Sequence, residues 1–170
     1  MTTTVAEKLV AAYGRLLPPD RAWLEAQGVP PLAIHMYPGP IGITPEPSPM
    51  FIHPVYAEAA YSDIVGAVAW PQRDPSRFRI LDGAGDAALG LGQHFLTDAA
   101  DRRGSLAVVS TPLEWLTRYG ACFCPLVWPD AAVELSHLSR IVAMPADFGP
   151  VLRRRLDAAR PRLPRIEVAA

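Results

Sequence analysis

The sequence predicts an α/β fold: a mainly parallel sheet with helices packed on it, preceded by an N-terminal helical hairpin and a proline-rich connection. Half of the 170 residues are hydrophobic, so the chain can form a sizeable core. From residue 104 onward, short apolar runs alternate with segments of helical pattern. Alternating strands and helices are typical of a parallel sheet that helices cover. We expect a hairpin over 1–28, a connection over 29–61 and an α/β domain over 62–170.

Two helices are predicted in the N-terminal hairpin. Apolar side chains recur at helical spacing between Thr4 and Leu17, which predicts the first helix. The second is expected from Asp20, a good N-cap, to Gln27, with Gly28 as its stop. The apolar faces of both helices should turn inward.

The connection that follows is rich in proline. Proline lacks a backbone N–H and fixes its own φ, which excludes helix and central strand through most of residues 29–54. Short extended pieces over 32–37 and 50–53 remain. We interpret the segment as an ordered connection that wraps around the main domain or forms an edge structure beside it. The alternative is that a protein partner docks on its prolines.

The α/β domain is expected to begin with a β-hairpin and to continue as alternating strands and helices. A cluster of Pro, Asp and Ser between two apolar runs predicts the turn of that hairpin. In chain order, the predicted elements are strands at Ile64–Trp70 and Arg77–Leu81, a helix at Asp86–Leu96, a strand at Leu106–Val109, a helix at Thr111–Tyr119, strands at Ala121–Val127 and Ile141–Met144, a helix from Phe148 to Ala159, and a last strand at 165–169.

Arginine is concentrated at the end of the chain. The formal net charge of −1 neither indicates nor excludes a polyanionic partner. On the predicted helix from Phe148 to Ala159, the apolar side chains share one side, so the arginines point to solvent or toward its edges. Such a surface could bind nucleic acid weakly, and a solvated face that adds solubility is the alternative. The candidate nucleic-acid-binding residues are Arg153, Arg154, Arg155, Arg160, Arg162 and Arg165.

The two cysteines, Cys122 and Cys124, stand two residues apart on a predicted strand, so their side chains point to the same face. That geometry is poor for a disulfide, and we expect two reduced, buried thiols of the kind found in the cytoplasm. The N-terminus lacks the pattern of a signal peptide, and no apolar stretch approaches the ~18 residues that span a bilayer. A cytoplasmic protein without a membrane partner is expected, and its oligomeric state stays open.

Two patterns suggest enzymatic sites, and each has a simpler structural interpretation. Gly83, Gly85 and Ala88 fit a loose dinucleotide-binding pattern, but further glycines in the following helix favour a glycine-rich turn. Ser110 ends a predicted strand as a hydrolase nucleophile does, yet it lacks the flanking glycines of a nucleophile elbow. We interpret these two segments as structural.

Two carboxylates remain as candidates for chemistry. Glu114 is placed to close a capping box on Thr111 at the start of a helix. Asp147 follows a predicted strand, where phosphoryl-transfer enzymes place Mg²⁺ ligands, but it stands alone and is a good helix N-cap. We therefore predict no catalytic residue, no metal site and no cofactor. If the protein were an enzyme, Asp147 and Glu114 would be the candidates.

Residues 104–168, with "SLAVVSTPLEWLTRYG", "ACFCPLVW" and "LSRIVAMPADFGPVLRRRLDAARPRLPRIEV", resemble a degenerate Toprim domain. Toprim is the metal-binding fold of primases, topoisomerases and related nucleases, and the resemblance implies a Toprim-like sheet, with a Rossmann-like one as the alternative. In that family a glutamate ends the first strand and a D-x-D pair ends the third. Here the first position falls at Ser110–Thr111, so the glutamate is missing. "MPADFG" keeps at most Asp147, and Glu114 comes a helical turn too late.

More loosely, residues 62–145 resemble uncharacterised proteins of alphaproteobacterial prophages and integrative elements, which are encoded near replication genes. The two resemblances together imply a non-catalytic accessory protein of a mobile element that binds DNA or a replication protein. A metal-dependent nuclease or primase-like enzyme with a rearranged site is one alternative. A protein-interaction module that uses the proline-rich segment is another.

Overall fold

The structure is a computed structural model that describes residues 4–35, 41–45, 49–57, 64–81, 88–101 and 104–159. Its helices are α1 (Val5–Tyr13), α2 (Pro18–Ala26), α3 (Pro31–His35), α4 (His94–Asp101), α5 (Pro112–Thr117), α6 (Trp128–Ser136) and α7 (Gly149–Ala159), and a 3₁₀ turn (Ala146–Phe148) precedes α7. Its strands are β1 (Gly42–Ile43), β2 (Phe51–Tyr56), β3 (Ile64–Trp70), β4 (Arg79–Ile80), β5 (Gly90–Leu91), β6 (Ser105–Val109), β7 (Cys124–Pro125) and β8 (Arg140–Met144).

The N-terminal helices form as predicted, with changed boundaries. Thr4 caps α1 by a reciprocal pair of hydrogen bonds with Glu7, in which each side chain accepts from the other residue's backbone N–H, at 3.2 and 2.8 Å. Asp20 is not the N-cap of α2. The helix begins two residues earlier, at Pro18, and the Asp20 carboxylate accepts from the backbone N–H of Leu17 at 3.0 Å.

A four-stranded sheet in the order β1-β2-β3-β4 is antiparallel throughout. The predicted hairpin of β3 and β4 is confirmed, with Val68 opposite Ile80. Strand β2 lies inside the proline-rich segment and pairs with β3 along its whole length. Pro54 is tolerated there because β1 pairs only with Phe51 and Ile52, so Pro54 has a described partner strand on one side only.

The prediction of a mainly parallel sheet is wrong. Among the described strands, only β6 and β8 form a parallel pair, from Ser105 opposite Arg140 to Val109 opposite Met144, and a parallel bridge joins Val108 to Phe123. Strands β5 and β7 pair antiparallel. The connections β2–β3 and β3–β4 are too short for the crossover that parallel neighbours need, so the largest sheet had to be antiparallel. The fold is a mixed α/β arrangement.

Strand β8 is half-buried from Ile141 to Met144. One of its edges pairs with β6, and no strand in the described part of the chain pairs with the other edge. Helices α6 and α7 cover one face of the pair through a cluster that includes Val108, Leu135 and Leu152. The carboxyl ends of β6 and β8 therefore lie side by side next to the start of α7.

The larger core joins α2, α3, the proline-rich segment and α5 in one cluster. Trp23 of α2 stacks on Phe51 with ring centroids 5.5 Å apart, and Phe51 contacts Trp70 at 4.7 Å. Such aromatic pairs stabilise a core beyond the area they bury. Among the described residues, no helix combines the length and the apolar composition needed to cross a membrane.

Two buried residues, His53 and Cys122, contact Trp115. The indole N–H of Trp115 donates to the carbonyl oxygen of Cys122 at 3.0 Å, and its ring stacks on His53 with centroids 5.6 Å apart. Cys122 and Cys124 are free, buried thiols, as predicted. Burial raises the pKa of Cys122 to about 12 and that of Cys124 well above its usual value, so both stay protonated and unreactive at neutral pH.

Candidate nucleic-acid interface

A cavity of about 450 Å³ lies at the carboxyl ends of β6 and β8. Ser110 comes directly after β6 and Pro145 directly after β8, and α5, α6, α7 and the β3–β4 turn complete the walls. In open α/β sheets this is the edge where ligands bind, because the loops after the strands leave a crevice there. The two candidate carboxylates of the sequence, Glu114 and Asp147, both line this cavity.

Glu114 holds the start of α5. One of its carboxylate oxygens accepts from the backbone N–H of Ser110 at 2.9 Å, the Ser110 hydroxyl at 2.8 Å and the backbone N–H of Thr111 at 3.1 Å. The Thr111 hydroxyl in turn accepts from the backbone N–H of Glu114 at 3.2 Å. The predicted capping box is confirmed, and it occupies Glu114 with structural hydrogen bonds.

Asp147 does not cap α7 as predicted. It lies in the 3₁₀ turn, where its side chain is exposed, and α7 begins directly after that turn at Gly149. Pro145 is extended and precedes Ala146–Phe148, which form a 3₁₀ turn where the α-helix was expected to begin. Within the described ranges, no three His, Cys, Asp or Glu side chains converge to hold a metal ion.

The wall formed by α6 and α7 is aromatic and basic. The Arg155 guanidinium lies 4.6 Å from the centroid of the Trp128 ring, a cation–π contact. Trp128 meets the ring of Phe148 edge-on, with centroids 6.3 Å apart and planes at 61°. Phe148 is buried and Trp128 is half-buried, whereas Arg155 is exposed. The core thus fixes the aromatic rings, and Trp128 orients a guanidinium that stays open to solvent.

The predicted arginine cluster is divided between the two sides of α7. Arg155 lines the cavity, whereas Arg153 and Arg154 line a groove of about 960 Å³ between α7 and β8, whose apolar part includes Ile141 and Leu156. All three arginines are exposed. The other predicted members, Arg160, Arg162 and Arg165, lie outside the described residues.

Ser76, Phe78 and Trp128 are among the six lining residues of the cavity that sequence reasoning missed. Ser76 and Phe78 belong to the β3–β4 turn, and nothing in their local sequence places them beside β6. Trp128 had a usable signal: it opens a helix ahead of Pro129 in an otherwise apolar run, and a Trp at a helix start is often half-exposed. Gly83 and Gly85 of the loose glycine pattern lie outside the described residues, and Ala88 is buried in the core.

The two carboxylates of the cavity should differ in a stability measurement. Glu114→Ala is expected to lower the free energy of unfolding by about 1–3 kcal/mol, because three donors at the start of α5 lose their acceptor. Asp147→Ala is the matched control and should unfold like the wild type, since its side chain is exposed. Urea denaturation followed by tryptophan fluorescence measures both. Equal losses would contradict the structural role of Glu114.

Comparisons of this chain with models of protein families, with curated proteins and with solved structures find no match.

Proposed function

We propose that the protein binds nucleic acid without cleaving it, through the exposed arginines of α7 and the cavity beside them. The observation that carries the proposal is the Arg155 guanidinium stacked on Trp128 at the wall of the cavity, with Arg153 and Arg154 exposed on the same helix. Helix α7 carries these three arginines and one acid, Asp157, an excess of two positive charges. Arginine binds phosphate through its planar fork of donors, and aromatic rings beside it are typical of surfaces that contact bases.

The biological setting of the proposal is an accessory role in the replication or maintenance of a mobile element. It rests on the resemblance of residues 62–145 to proteins of prophages and integrative elements. In this setting the partner is DNA, and a replication protein that binds the same α7 surface is the alternative partner.

A second candidate function is metal-dependent cleavage of nucleic acid. The observation that favours it is that Glu114 and Asp147 line one cavity at the carboxyl ends of parallel strands. Mg²⁺ needs oxygen ligands that are free to coordinate it, and the hydrogen bonds of Glu114 compete for that carboxylate. This competition is why binding without cleavage is the preferred proposal.

Binding of labelled DNA by fluorescence anisotropy at 50 and 200 mM NaCl tests the proposed function. Because Arg153 and Arg154 would each neutralise about one phosphate, Arg153→Ala/Arg154→Ala should weaken binding and reduce the slope of log affinity against log salt by about 2. Arg15→Ala/Arg21→Ala removes two exposed arginines, one between α1 and α2 and one on α2, and is the matched control, which should bind like the wild type.

Absence of binding at 50 mM salt, or equal behaviour of the two double variants, would refute the proposed function. The same DNA incubated with Mg²⁺ or Mn²⁺ should remain intact. Cleavage that Asp147→Ala abolishes in a folded protein would establish the second candidate instead.

A further inference from the structure

We infer that the cavity beside Arg155 takes a single unpaired base, so that the protein selects single-stranded nucleic acid over a duplex. This inference deepens the proposed function and rests on it. The volume of about 450 Å³ lies within the range of small-molecule sites, and the aromatic rings of Phe78, Trp128 and Phe148 reach the cavity from three separate elements.

The platform for the base is the Arg155 guanidinium. The guanidinium carbon lies 4.6 Å from the centroid of the Trp128 ring, so the cation–π contact restrains the Arg155 side chain although it is exposed. A planar base can stack on the outer face of a guanidinium fixed in this way, and single-stranded nucleic acids are commonly recognised by stacking on arginine and aromatic planes. Trp128 and Arg155 therefore act together as one stacking surface.

The cavity offers both kinds of hydrogen-bonding group, because the Arg155 guanidinium donates and the other polar side chains accept. The Ser110 hydroxyl donates its proton to Glu114 at 2.8 Å, and the Ser76 hydroxyl donates its proton to Asp74 at 2.5 Å. Each serine therefore presents only the lone pairs of its oxygen to the cavity, and the Asp147 carboxylate is an acceptor as well. Every base carries both donors and acceptors on its edge, so this mixed set can bind the edge of any base that is not already paired.

The charges of the cavity decide which end of a nucleotide enters. Glu114 and Asp147 bring two carboxylates to its wall against the single cation of Arg155, so the lining has an excess of negative charge that disfavours a phosphate. The exposed Arg153 and Arg154 lie on the other side of α7, where the backbone phosphates would run. A duplex cannot fill the cavity unless a base leaves the stack, which costs a few kcal/mol. Single-stranded nucleic acid avoids that cost.

The test uses the full chain and three labelled 12-mers, dA12, dT12 and a mixed duplex, in fluorescence anisotropy at 50 mM NaCl. We expect the wild type to bind dA12 and dT12 at least tenfold more tightly than the duplex. Trp128→Leu should weaken dA12 binding by about 5- to 100-fold, the usual effect of losing one base-stacking contact, and so reduce the preference for dA12 over the duplex.

Arg155→Lys is a second variant that tests the site even if Trp128→Leu fails to fold. It keeps the positive charge but lacks the planar guanidinium. It should lose the preference for dA12 over the duplex and keep the salt dependence of the wild type. Equal binding of all three probes by the wild type, or a preference that survives Arg155→Lys, would overturn the base site while nucleic-acid binding stands. Failure of every probe to bind would refute the proposed function itself, and the base site with it.

Discussion

Gly92→Ala is expected to destabilise the protein by about 3–5 kcal/mol, a large part of the stability of a typical domain. Gly92 is buried and has a φ of +71°, which strains any residue with a Cβ. A Cβ at this position would also overlap the carbonyl oxygen of Cys122 and lie 3.0 Å from Nε1 of Trp115. That carbonyl accepts the indole hydrogen bond of Trp115, so relief of the overlap would disturb a buried hydrogen bond.

Two other glycines separate the contributions of backbone strain and overlap. Gly28 has a φ of +85° but no atom within 4 Å of a built Cβ, so Gly28→Ala should cost only about 1 kcal/mol of strain. Gly14 has a helical φ of −72° and open space, and Gly14→Ala should be close to neutral. Urea denaturation of the three variants gives the comparison. If Gly92→Ala cost no more than Gly28→Ala, the close approach of Gly92 to Cys122 would be wrong.

His53→Leu is expected to make the protein more resistant to acid. His53 is 1% exposed, and neither ring nitrogen has a hydrogen-bond partner among the described residues. Burial lowers its pKa to about 3, although the backbone at Pro54 favours the protonated ring. Below pH 6.5 the His53 ring is protonated in the unfolded chain, whereas in the folded chain it stays neutral down to about pH 3. The free energy of unfolding therefore falls as the pH falls through this window. At pH 5 the loss relative to pH 7 is about 2 kcal/mol.

The free energy of unfolding at pH 7 and pH 5, from urea denaturation, checks this expectation. The fall in stability between the two pH values should be smaller by about 2 kcal/mol in His53→Leu than in the wild type, whatever the packing effect of leucine. His137→Gln removes a histidine from an exposed position at the end of α6 and should follow the wild type. Identical pH dependence in His53→Leu and the wild type would show that His53 is not buried in its neutral form.

Local sequence rules predicted the parts of the fold that depend on neighbouring residues. The capping box of Thr111 and Glu114 and the hairpin from Ile64 are of this kind, because spacing and turn chemistry determine them. The direction of the main sheet depends on which strands meet in space. Because β2 contains Pro54, its sequence predicts only a short extended piece. The alternation of strands and helices after residue 104 was then the main signal for sheet direction, and it favours a parallel sheet.

The candidate site was predictable to the same limited extent. Glu114, Asp147 and Arg155 could be named because each follows a strand or lies on an arginine-rich helix. The contribution of the β3–β4 turn could not be named, since Ser76 and Phe78 come from a part of the chain that packs beside β6 only in the folded state. The side of α7 to which each arginine turns depends on the packing of α7 against β8, which the helical pattern alone leaves undetermined.

The unpaired edge of β8 bears on how concentrated solutions of this protein behave. In the part of the chain that the structure describes, its backbone N–H and C=O groups pair on one side only, and exposed edges of this kind template pairing between molecules. The apolar residues of β8 lie between Arg140, at the start of the strand, and Pro145, directly after its end. A charged residue and a proline at a strand edge both suppress edge-to-edge aggregation. High salt screens the charge of Arg140 and leaves only the proline. Concentrated stocks are therefore better kept at low ionic strength.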